Sequence, residues 1–326
     1  MTEEYLTSQK NDRLQLFPIK HEDMWEQYKK HEQSIWTVEE IDMTQDKKEW
    51  ETLSDNEKQF IENILAFFAS SDSIVLENLV SNFCQEITCP EARGFYGVQA
   101  FIENIHSEAY ALMIETFVDD PERKNQLFRA IETIPCVEKK GQWALQWISK
   151  RDDKCDLARR LFAFGIVEGM FFSGSFCAIY WLKQKGKLIN SLGKSNEWIA
   201  RDEGLHLNFA VLLYTYIKNR LDKDEAENIM REAVAIEEEF ICDSIPVDMI
   251  GMSKDLMCQY IRFVADRIMV QFGYDILFEC KNPFPFMQQI SLDGKTNFFE
   301  ARVSEYQIPN RCESDLCFDV NENEIF

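Results

Sequence analysis

The short pattern Glu-x-x-His occurs twice in this 326-residue chain, from Glu103 to His106 and from Glu203 to His206. Only four histidines are present, and two of them close this pattern. Residues three apart lie on one face of an α-helix, so each pair can offer a carboxylate and an imidazole to one metal ion. The repeat therefore predicts helices that face each other across a pair of metal ions.

A lone carboxylate precedes each pattern by about the length of a helical hairpin. Asp72 lies 31 residues before Glu103, and Glu168 lies 35 residues before Glu203. A helix rises about 1.5 Å per residue, so a chain that turns midway returns to nearly the same height. Two such hairpins, packed face to face, gather four carboxylates and two imidazoles, which suit iron and manganese alike. The predicted ligands are Asp72, Glu103, His106, Glu168, Glu203 and His206.

The segment from Leu161 to Leu182 is apolar enough to suggest a membrane span. Glu168 lies inside this segment, where a carboxylate is costly unless it is paired. A helix that is apolar on all sides also forms the centre of a large soluble bundle. We favour the bundle, because a buried Glu168 among other carboxylates is explained by cations that offset their repulsion.

Apolar residues recur at helical spacing along the chain, and no convincing period-two alternation occurs between residues 54 and 280. Ser54 and Glu57 form a capping-box start, and Pro90 suits the first turn of a second long helix. The sequence therefore predicts an all-α bundle. The predicted helices cover about 57–86, 90–118, 154–183, 194–219, 223–244 and 253–280, with shorter helices over 121–150.

Charge and cysteine spacing restrict the class of protein. The formal net charge of −22 argues against direct binding of nucleic acid, because an acidic surface repels phosphate. Ten cysteines are scattered without a Cys-x-x-Cys motif, which favours reduced thiols. The N-terminus lacks a basic segment followed by an apolar core, so no secretory signal is predicted. We therefore expect a cytoplasmic protein.

Tyr110 lies four residues after His106 and seven after Glu103, on the face of the helix that carries both predicted ligands. On a single helix, such a residue is most simply interpreted as a core tyrosine that finds a hydrogen bond. Beside a dimetal centre that activates oxygen, it becomes a candidate one-electron donor in an apolar pocket. The candidate pocket residues are Phe172, Phe176 and Ile199.

Five segments occur in order and at separations that closely resemble the small, radical-generating subunit of class I ribonucleotide reductase. They are FFASSDSIVLENL, EARGFYG, ENIHSEAYALMIETF, VEGMFFSGSF and RDEGLH. The resemblance extends from about Phe17 to Tyr306 and implies a ferritin-like helical bundle around a dimetal carboxylate site. Other ferritin-like carboxylate proteins usually begin with Glu where this chain has Asp72, and they lack the tyrosine of HSEAY.

The resemblance implies two iron ions per chain, with manganese as the alternative metal. Tyr110 would be the radical tyrosine. Ferrous iron would reduce O₂ to an oxidant that takes an electron and a proton from this phenol, while apolar walls prolong the radical's life. The implied ligand sets are Asp72, Glu103 and His106 for one ion, and Glu168, Glu203 and His206 for the other.

The family reduces ribonucleotides to deoxyribonucleotides on a separate large subunit, so the resemblance implies that this chain supplies the radical. Trp36, Asp202 and Tyr306 match positions through which the family passes the radical, and His106 stands at the metal end of that route. Without the resemblance, Trp36 is interpreted as an anchor of the N-terminal arm and Asp202 as a surface acid. The family also implies a homodimer.

The chain is predicted to divide into an arm, a bundle and a tail. Residues 1–45 form the arm, residues 46–300 the bundle with its metal site, and residues 301–326 a flexible acidic tail. Family tails end in a short acidic peptide with a terminal phenylalanine that docks on the large subunit. Phe326 matches that pattern, and Phe318 departs from it by lying eight residues earlier.

Two other functions fit parts of the sequence. A ferritin-like oxidase or iron-handling protein needs the metal ligands but not Tyr110, Trp36 or Tyr306. A non-enzymatic helical interaction module needs none of them, and six intact ligands are hard to reconcile with it. The residues of the radical route therefore favour the reductase subunit.

Overall fold

The computed structural model describes residues 4–149, 153–244 and 247–287. Helices make up all of the regular secondary structure in these ranges, which contain no strand. The all-α prediction is confirmed. The α-helices are α1 (Glu22–Glu32), α2 (Thr44–Trp50), α3 (Asp55–Asn78), α4 (Cys84–Glu86), α5 (Pro90–Phe117), α6 (Pro121–Phe128), α7 (Ala130–Thr133), α8 (Pro135–Ile148), α9 (Asp156–Ile166), α10 (Ser173–Gln184), α11 (Lys194–Thr215), α12 (Lys223–Glu238) and α13 (Lys254–Gln271).

Tighter and wider helical turns connect or extend these helices. Wider turns make continuous helical stretches of Asp55–Glu86 and Asp156–Gln184. The π-helical turns are Leu79–Phe83, Val167–Phe171, Ile189–Gly193 and Glu239–Ser244, and the 3₁₀ turns are Tyr5–Thr7, Val38–Glu40, Val247–Ile250 and Pro285–Met287.

The two long hairpins that the sequence predicts are present. Helix α3 begins with the predicted capping box, in which the Ser54 hydroxyl accepts the Glu57 N–H and the Glu57 carboxylate accepts the Ser54 N–H. Helix α5 begins at Pro90, where a missing N–H costs no hydrogen bond. Helix α3 packs against α5, α9 packs against α11, and α5 contacts α11. The hairpins therefore face each other.

The predicted helix over 253–280 is too long at its C-terminal end. Helix α13 ends at Gln271, and the chain turns at Gly273, which has a φ of +86° that favours glycine. The Asp266 carboxylate then accepts backbone N–H groups from beyond the turn, those of Leu277 and Phe278 at 2.8 and 2.7 Å. The other long helices begin and end within four residues of their predicted bounds.

The apolar segment that resembled a membrane span lies in the centre of the bundle. By length and composition alone, the stretches Asp55–Glu86 and Asp156–Gln184 could each cross a membrane. The most apolar window of Asp156–Gln184 is 94 % buried inside the protein. Burial by protein on all sides is typical of a core helix. The structure therefore supports the bundle interpretation of this segment.

The structure describes seven cysteine side chains, and all seven are free thiols. Two of them, Cys242 and Cys258, have Sγ atoms 3.2 Å apart. This separation is a hydrogen-bonding distance and is well above the length of a disulfide, which is about 2.05 Å. The described cysteines thus agree with the expectation of reduced thiols.

Candidate metal centre and tyrosine pocket

The six predicted metal ligands lie together in one buried layer of the bundle. Each is at most 3 % exposed. Their ligand atoms form two groups, and the atoms within each group lie within 4.8 Å of one another. Glu103 belongs to both groups, so its carboxylate would contribute to both metal positions. The groups are Asp72, Glu103 and His106, and Glu103, Glu168, Glu203 and His206.

Each hairpin contributes one group of side chains from two helices. Asp72 lies on α3 and faces the Glu-x-x-His pair of α5, while Glu168 faces the corresponding pair of α11. Glu168 is in the π-helical turn Val167–Phe171 rather than in regular α-helix. Lys140 donates a hydrogen bond to the carbonyl of Phe171 at 2.7 Å, at the end of this wider turn. Such turns are frequent at functional sites because they redirect side chains.

Both predicted imidazole ligands point their Nδ1 atoms into the carboxylate layer. Nδ1 of His106 lies 3.4 Å from Glu103 and 3.3 Å from Glu203. Nδ1 of His206 lies 3.1 Å from Glu103 and 3.4 Å from Glu203. The Nε2 atoms point outward to other partners. Nδ1 is therefore the nitrogen of each ring that is placed to bind metal.

Burial and crowding shift the protonation of this layer. Burial, followed by the charge of Glu103, raises the pKa of Asp72 well above its usual value, and burial followed by Glu203 does the same for Glu168. Burial alone lowers the pKa of His106 and His206, but their carboxylate neighbours outweigh it and raise both pKa values. Protons therefore occupy the layer in the absence of cations.

The residues fit a pair of divalent cations. Buried atoms without a hydrogen-bond partner include Oδ2 of Asp72, Oε2 of Glu168 and Nδ1 of His106. Such atoms are costly unless something binds them. Four ionised carboxylates carry a charge of −4, which two divalent cations neutralise. The ligand set, its burial and its charge all match a dimetal carboxylate site.

Tyr110 is buried on α5, and its hydroxyl has no hydrogen-bond partner among the residues that the structure describes. Burial, followed by the charge of Asp72, raises its pKa well above 10, so the phenol keeps its proton. Its ring centroid lies 4.6 Å from that of Phe68. This phenol is thus isolated from water and held against an aromatic ring.

The predicted pocket residues Phe172 and Phe176 belong to the aromatic cluster around Tyr110. Their ring centroids lie 5.7 and 5.4 Å from that of Phe68, the ring that contacts the tyrosine directly. Ile199 is buried on α11. The sequence interpretation missed Phe68 as a pocket residue, although its position four residues before Asp72 places both on one face of α3.

A hydrogen-bonded chain leads outward from the first imidazole. Nε2 of His106 lies 3.3 Å from Oδ2 of Asp202, which also accepts the indole N–H of Trp36 at 2.8 Å. Arg201 donates to the other oxygen of Asp202. Burial raises the pKa of Asp202, but His106 and Arg201 outweigh it and lower the pKa. Asp202 is fully buried, so its interpretation as a surface acid is wrong.

Two further residues contact the ligands and were missed in the sequence. Gln99 donates its amide N–H to Oε1 of Glu168 at 2.9 Å, and its position four residues before Glu103 was the available signal. Nε2 of His31 lies 2.9 Å from Nε2 of His206. Burial, followed by the charge of His206, lowers the pKa of His31 to about 3. His31 is therefore neutral.

The last predicted site residues lie outside the described residues. They are Tyr306, assigned to radical transfer, and Phe318 and Phe326, assigned to partner docking. Their roles stay predictions.

Comparison with known proteins gives consistent results over nearly the whole chain. The family described as "Ribonucleotide reductase, small chain" matches residues 13–283. A ribonucleoside-diphosphate reductase small chain from Trypanosoma brucei brucei is 56 % identical over 94 % of this chain and 90 % of its own length. A ribonucleoside-diphosphate reductase small chain from Nicotiana tabacum is 53 % identical over 94 % of this chain and 92 % of its own length.

Solved structures match the fold as well. The ribonucleotide reductase Rnr4 homodimer from Saccharomyces cerevisiae has a TM-score of 0.80 and 35 % identity. The match covers 90 % of this chain and 93 % of that one. A ribonucleotide reductase R2 subunit from Clostridium botulinum has a TM-score of 0.78, and at 23 % identity it is evidence for the fold alone. It covers 86 % of this chain and 90 % of that one.

Proposed function

Because this chain belongs to the ribonucleotide reductase small-chain family and is an oxidoreductase subunit of that enzyme, we propose that its buried carboxylate layer generates a tyrosyl radical on Tyr110. The family and the ferritin-like helical fold are those that the sequence resemblance implied. The observation that carries the assignment is a buried phenol beside the carboxylate layer, without a hydrogen-bond partner in the described part of the chain.

We assign two iron ions to the six ligands, and Glu103 would belong to the ligand sets of both. Manganese suits the same oxygen and nitrogen donors, so the preference for iron rests on the family resemblance. When bound, such a metal pair would supply, with O₂, the oxidant for the one-electron oxidation of Tyr110. The first set is Asp72, Glu103 and His106, and the second is Glu168, Glu203 and His206.

The protein's own residues handle the proton and the lifetime of the radical. Tyr110 loses a proton when it is oxidised, because an oxidised phenol is strongly acidic. Asp72 belongs to the carboxylate layer whose charges act on Tyr110, so we propose that this layer accepts the proton. Phe68, Phe172 and Phe176 surround this region and exclude water and reductants.

The radical leaves the bundle through the outward hydrogen-bonded chain. We propose that Trp36, Asp202 and His106 connect the metal layer to the protein surface, and that Tyr306 continues the route. Asp202 holds the indole N–H of Trp36 and the imidazole of His106 at one oxygen atom. This arrangement lets a proton move as Trp36 gains or loses an electron.

Assembly and location follow from the same family. We propose that the chain forms a homodimer, which the yeast Rnr4 homodimer supports, and that it delivers the radical to a large subunit that reduces ribonucleoside diphosphates. Phe318 and the terminal Phe326 are assigned to docking on that subunit. We also propose the division into residues 1–45, 46–300 and 301–326, and a cytoplasmic location without direct contact to nucleic acid or membrane.

A pair of conservative variants tests the assignment of Tyr110. The protein is loaded with ferrous iron without air, exposed to O₂ and examined by electron paramagnetic resonance. Tyr110→Phe should abolish the tyrosyl signal. Tyr96→Phe is the matched control, because Tyr96 is also buried on α5 with an unpartnered hydroxyl, and it should keep the signal. Loss of the signal in Tyr96→Phe alone would refute the assignment, and iron oxidation without any radical would indicate an oxidase.

A further inference from the structure

A third histidine, His31, contacts the metal layer from outside the two Glu-x-x-His patterns. It lies in the last turn of α1 and is fully buried. Its Nε2 atom is 2.9 Å from Nε2 of His206, so one of the two nitrogens must carry the shared proton. Nδ1 of His206 faces the carboxylates and is the metal-binding nitrogen. Nε2 of His206 therefore donates, and Nε2 of His31 accepts.

The other side of the His31 ring is also fixed. Its Nδ1 lies 3.3 Å from the hydroxyl of Ser34, which donates its own proton to the carbonyl of His31 at 2.8 Å. Arg201 donates to the carbonyl of Ser34 at 2.6 Å. The ring centroid of His31 lies 5.1 Å from that of Phe95. Contacts on both edges and on one face thus hold the acceptor nitrogen in place.

The two imidazole ligands therefore have outer partners of different charge. His106 bonds to the carboxylate of Asp202, whereas His206 bonds to a neutral imidazole. The group around His206 already contains three carboxylates, and the group around His106 contains two. A carboxylate in place of His31 would add another buried anion beside the more anionic group, at a large desolvation cost. A neutral acceptor orients His206 without adding that charge.

We propose that His31 is the positioning residue of the second metal position: it holds Nδ1 of His206 toward the ion by accepting the Nε2 proton. This inference rests on the proposed dimetal function. Outer partners of metal-binding histidines fix ring orientation, and their loss typically lowers metal affinity by about 10- to 100-fold. The effect should be confined to the second position.

Anaerobic titration with Mn²⁺, followed by the paramagnetic resonance signal of the free ion, measures this effect without any turnover. The wild-type chain should bind two ions. His31→Leu should lower the affinity of one ion by about 10- to 100-fold and leave the other unchanged. His31→Gln offers a carbonyl acceptor and should restore most of the lost affinity. Anomalous diffraction from crystals at limiting Mn²⁺ should show the loss at the position bounded by Glu168 and His206.

The remaining histidine provides a matched control. His21 is also largely buried, and its ring bonds to the hydroxyl of Tyr5 at 3.3 Å, away from the metal ligands. His21→Leu should leave both Mn²⁺ affinities unchanged. Wild-type affinity at both positions in a folded His31→Leu variant would overturn the proposal, as would equal loss at both positions.

A measurement on the wild-type chain keeps the test decisive if His31→Leu does not fold. Nitrogen chemical shifts of ¹⁵N-labelled histidine, with the His31 signals identified from His31→Gln, should report His31 with its proton on Nδ1. A proton on Nε2 of His31 would overturn the proposal. A wild-type chain that binds two ions but forms no radical would instead refute radical generation and leave the role of His31 to be decided by the affinities. Binding of fewer than two ions would overturn both.

Discussion

The two Glu-x-x-His helices look equivalent in the sequence, yet their surroundings differ in every feature that concerns the radical. Seven residues after its glutamate, α5 has Tyr110 and α11 has Ala210. The residue before the glutamate is Ile102 on α5 and Asp202 on α11, and Asp202 bonds back to His106 of the other helix. Both the phenol and the outward chain therefore lie beside the group that contains His106. Under the proposed function, both hairpins bind metal, whereas the residues of the radical route lie on one side of the site.

Substitution of the carboxylate that belongs to both ligand groups should have the largest effect on metal binding. Glu103 belongs to both ligand groups, so Glu103→Ala should lower metal content from two ions to less than one and abolish the radical. Asp72→Asn should weaken mainly the first position. Metal analysis of purified protein measures both. Glu108→Ala, an exposed glutamate on the same helix, should keep two ions. Retention of both ions in Glu103→Ala would show that this carboxylate is not shared.

The hydrogen-bonded chain that leads outward from His106 can be interrupted by a substitution that leaves all six proposed metal ligands unchanged. Trp36→Phe removes the N–H that Asp202 accepts, so it should preserve the radical but abolish turnover with the large subunit. Trp198→Phe is the control, because this ring packs 5.1 Å from Trp36 and has no hydrogen bond to Asp202 among those described. Persistent turnover in Trp36→Phe would contradict the route.

The affinity of the metal-free carboxylate layer for metal ions should depend on pH. Asp72, Glu168, His106 and His206 all have raised pKa values in the metal-free protein, so they release protons when ions bind. Mn²⁺ affinity should therefore rise with pH, by about tenfold per pH unit for each proton released. Titrations at several pH values measure the slope. Asp72→Asn should make it shallower, and affinity independent of pH would contradict the shifts.

The same raised pKa values determine how the stability of the metal-free protein changes with pH. A group whose pKa is higher in the folded state than in the unfolded state stabilises the fold. This contribution is complete below the pKa of the unfolded state and is lost as the pH rises through the pKa of the folded state. For these groups the loss of stability begins near their ordinary pKa values, which are 3.8 to 6.5. Thermal unfolding of chelated protein should therefore show a midpoint that falls from about pH 6 to about pH 8. Addition of Mn²⁺ at the higher pH should reverse this fall.

The aromatic pocket should show the smallest effect. Phe68→Leu opens space beside Tyr110, so the radical should decay several-fold faster, with a loss of about 1 to 3 kcal/mol in unfolding free energy. Phe162→Leu is the control in the second hairpin, since Phe162 is equally buried and packs on Phe272. It should lose similar stability without changing the radical's half-life. Equal rates of radical decay in both variants would show that general core packing, rather than Phe68, protects the radical.

Much of this arrangement could be predicted because it depends on local spacing. Helical periodicity determines which residues share a face, so the clustering of the six proposed ligands and the position of Tyr110 on their face followed from a few carboxylates and histidines. Glu168 was informative because its charge conflicts with the apolar segment around it. The all-α bundle followed from the same periodicity and from capping signals such as that at Ser54.

The features that local spacing does not predict depend on contacts between distant segments. His31 reaches His206 across 175 residues, and no spacing rule connects them. Asp202 has the sequence context of a surface acid until Trp36 and His106 are brought to it. The early end of α13 depends on Gly273 and on the side chain of Asp266, which competes for the backbone after the turn. Such interactions are fixed by tertiary packing.

We propose above that the dimetal layer oxidises a tyrosine of this chain. The most direct test is the electron paramagnetic resonance spectrum of wild-type protein grown with ring-deuterated tyrosine, loaded with ferrous iron without air and then exposed to O₂. We expect an organic radical whose proton hyperfine structure narrows on deuteration. Oxidised iron without an organic radical, or a radical unaffected by deuteration of tyrosine, would contradict it.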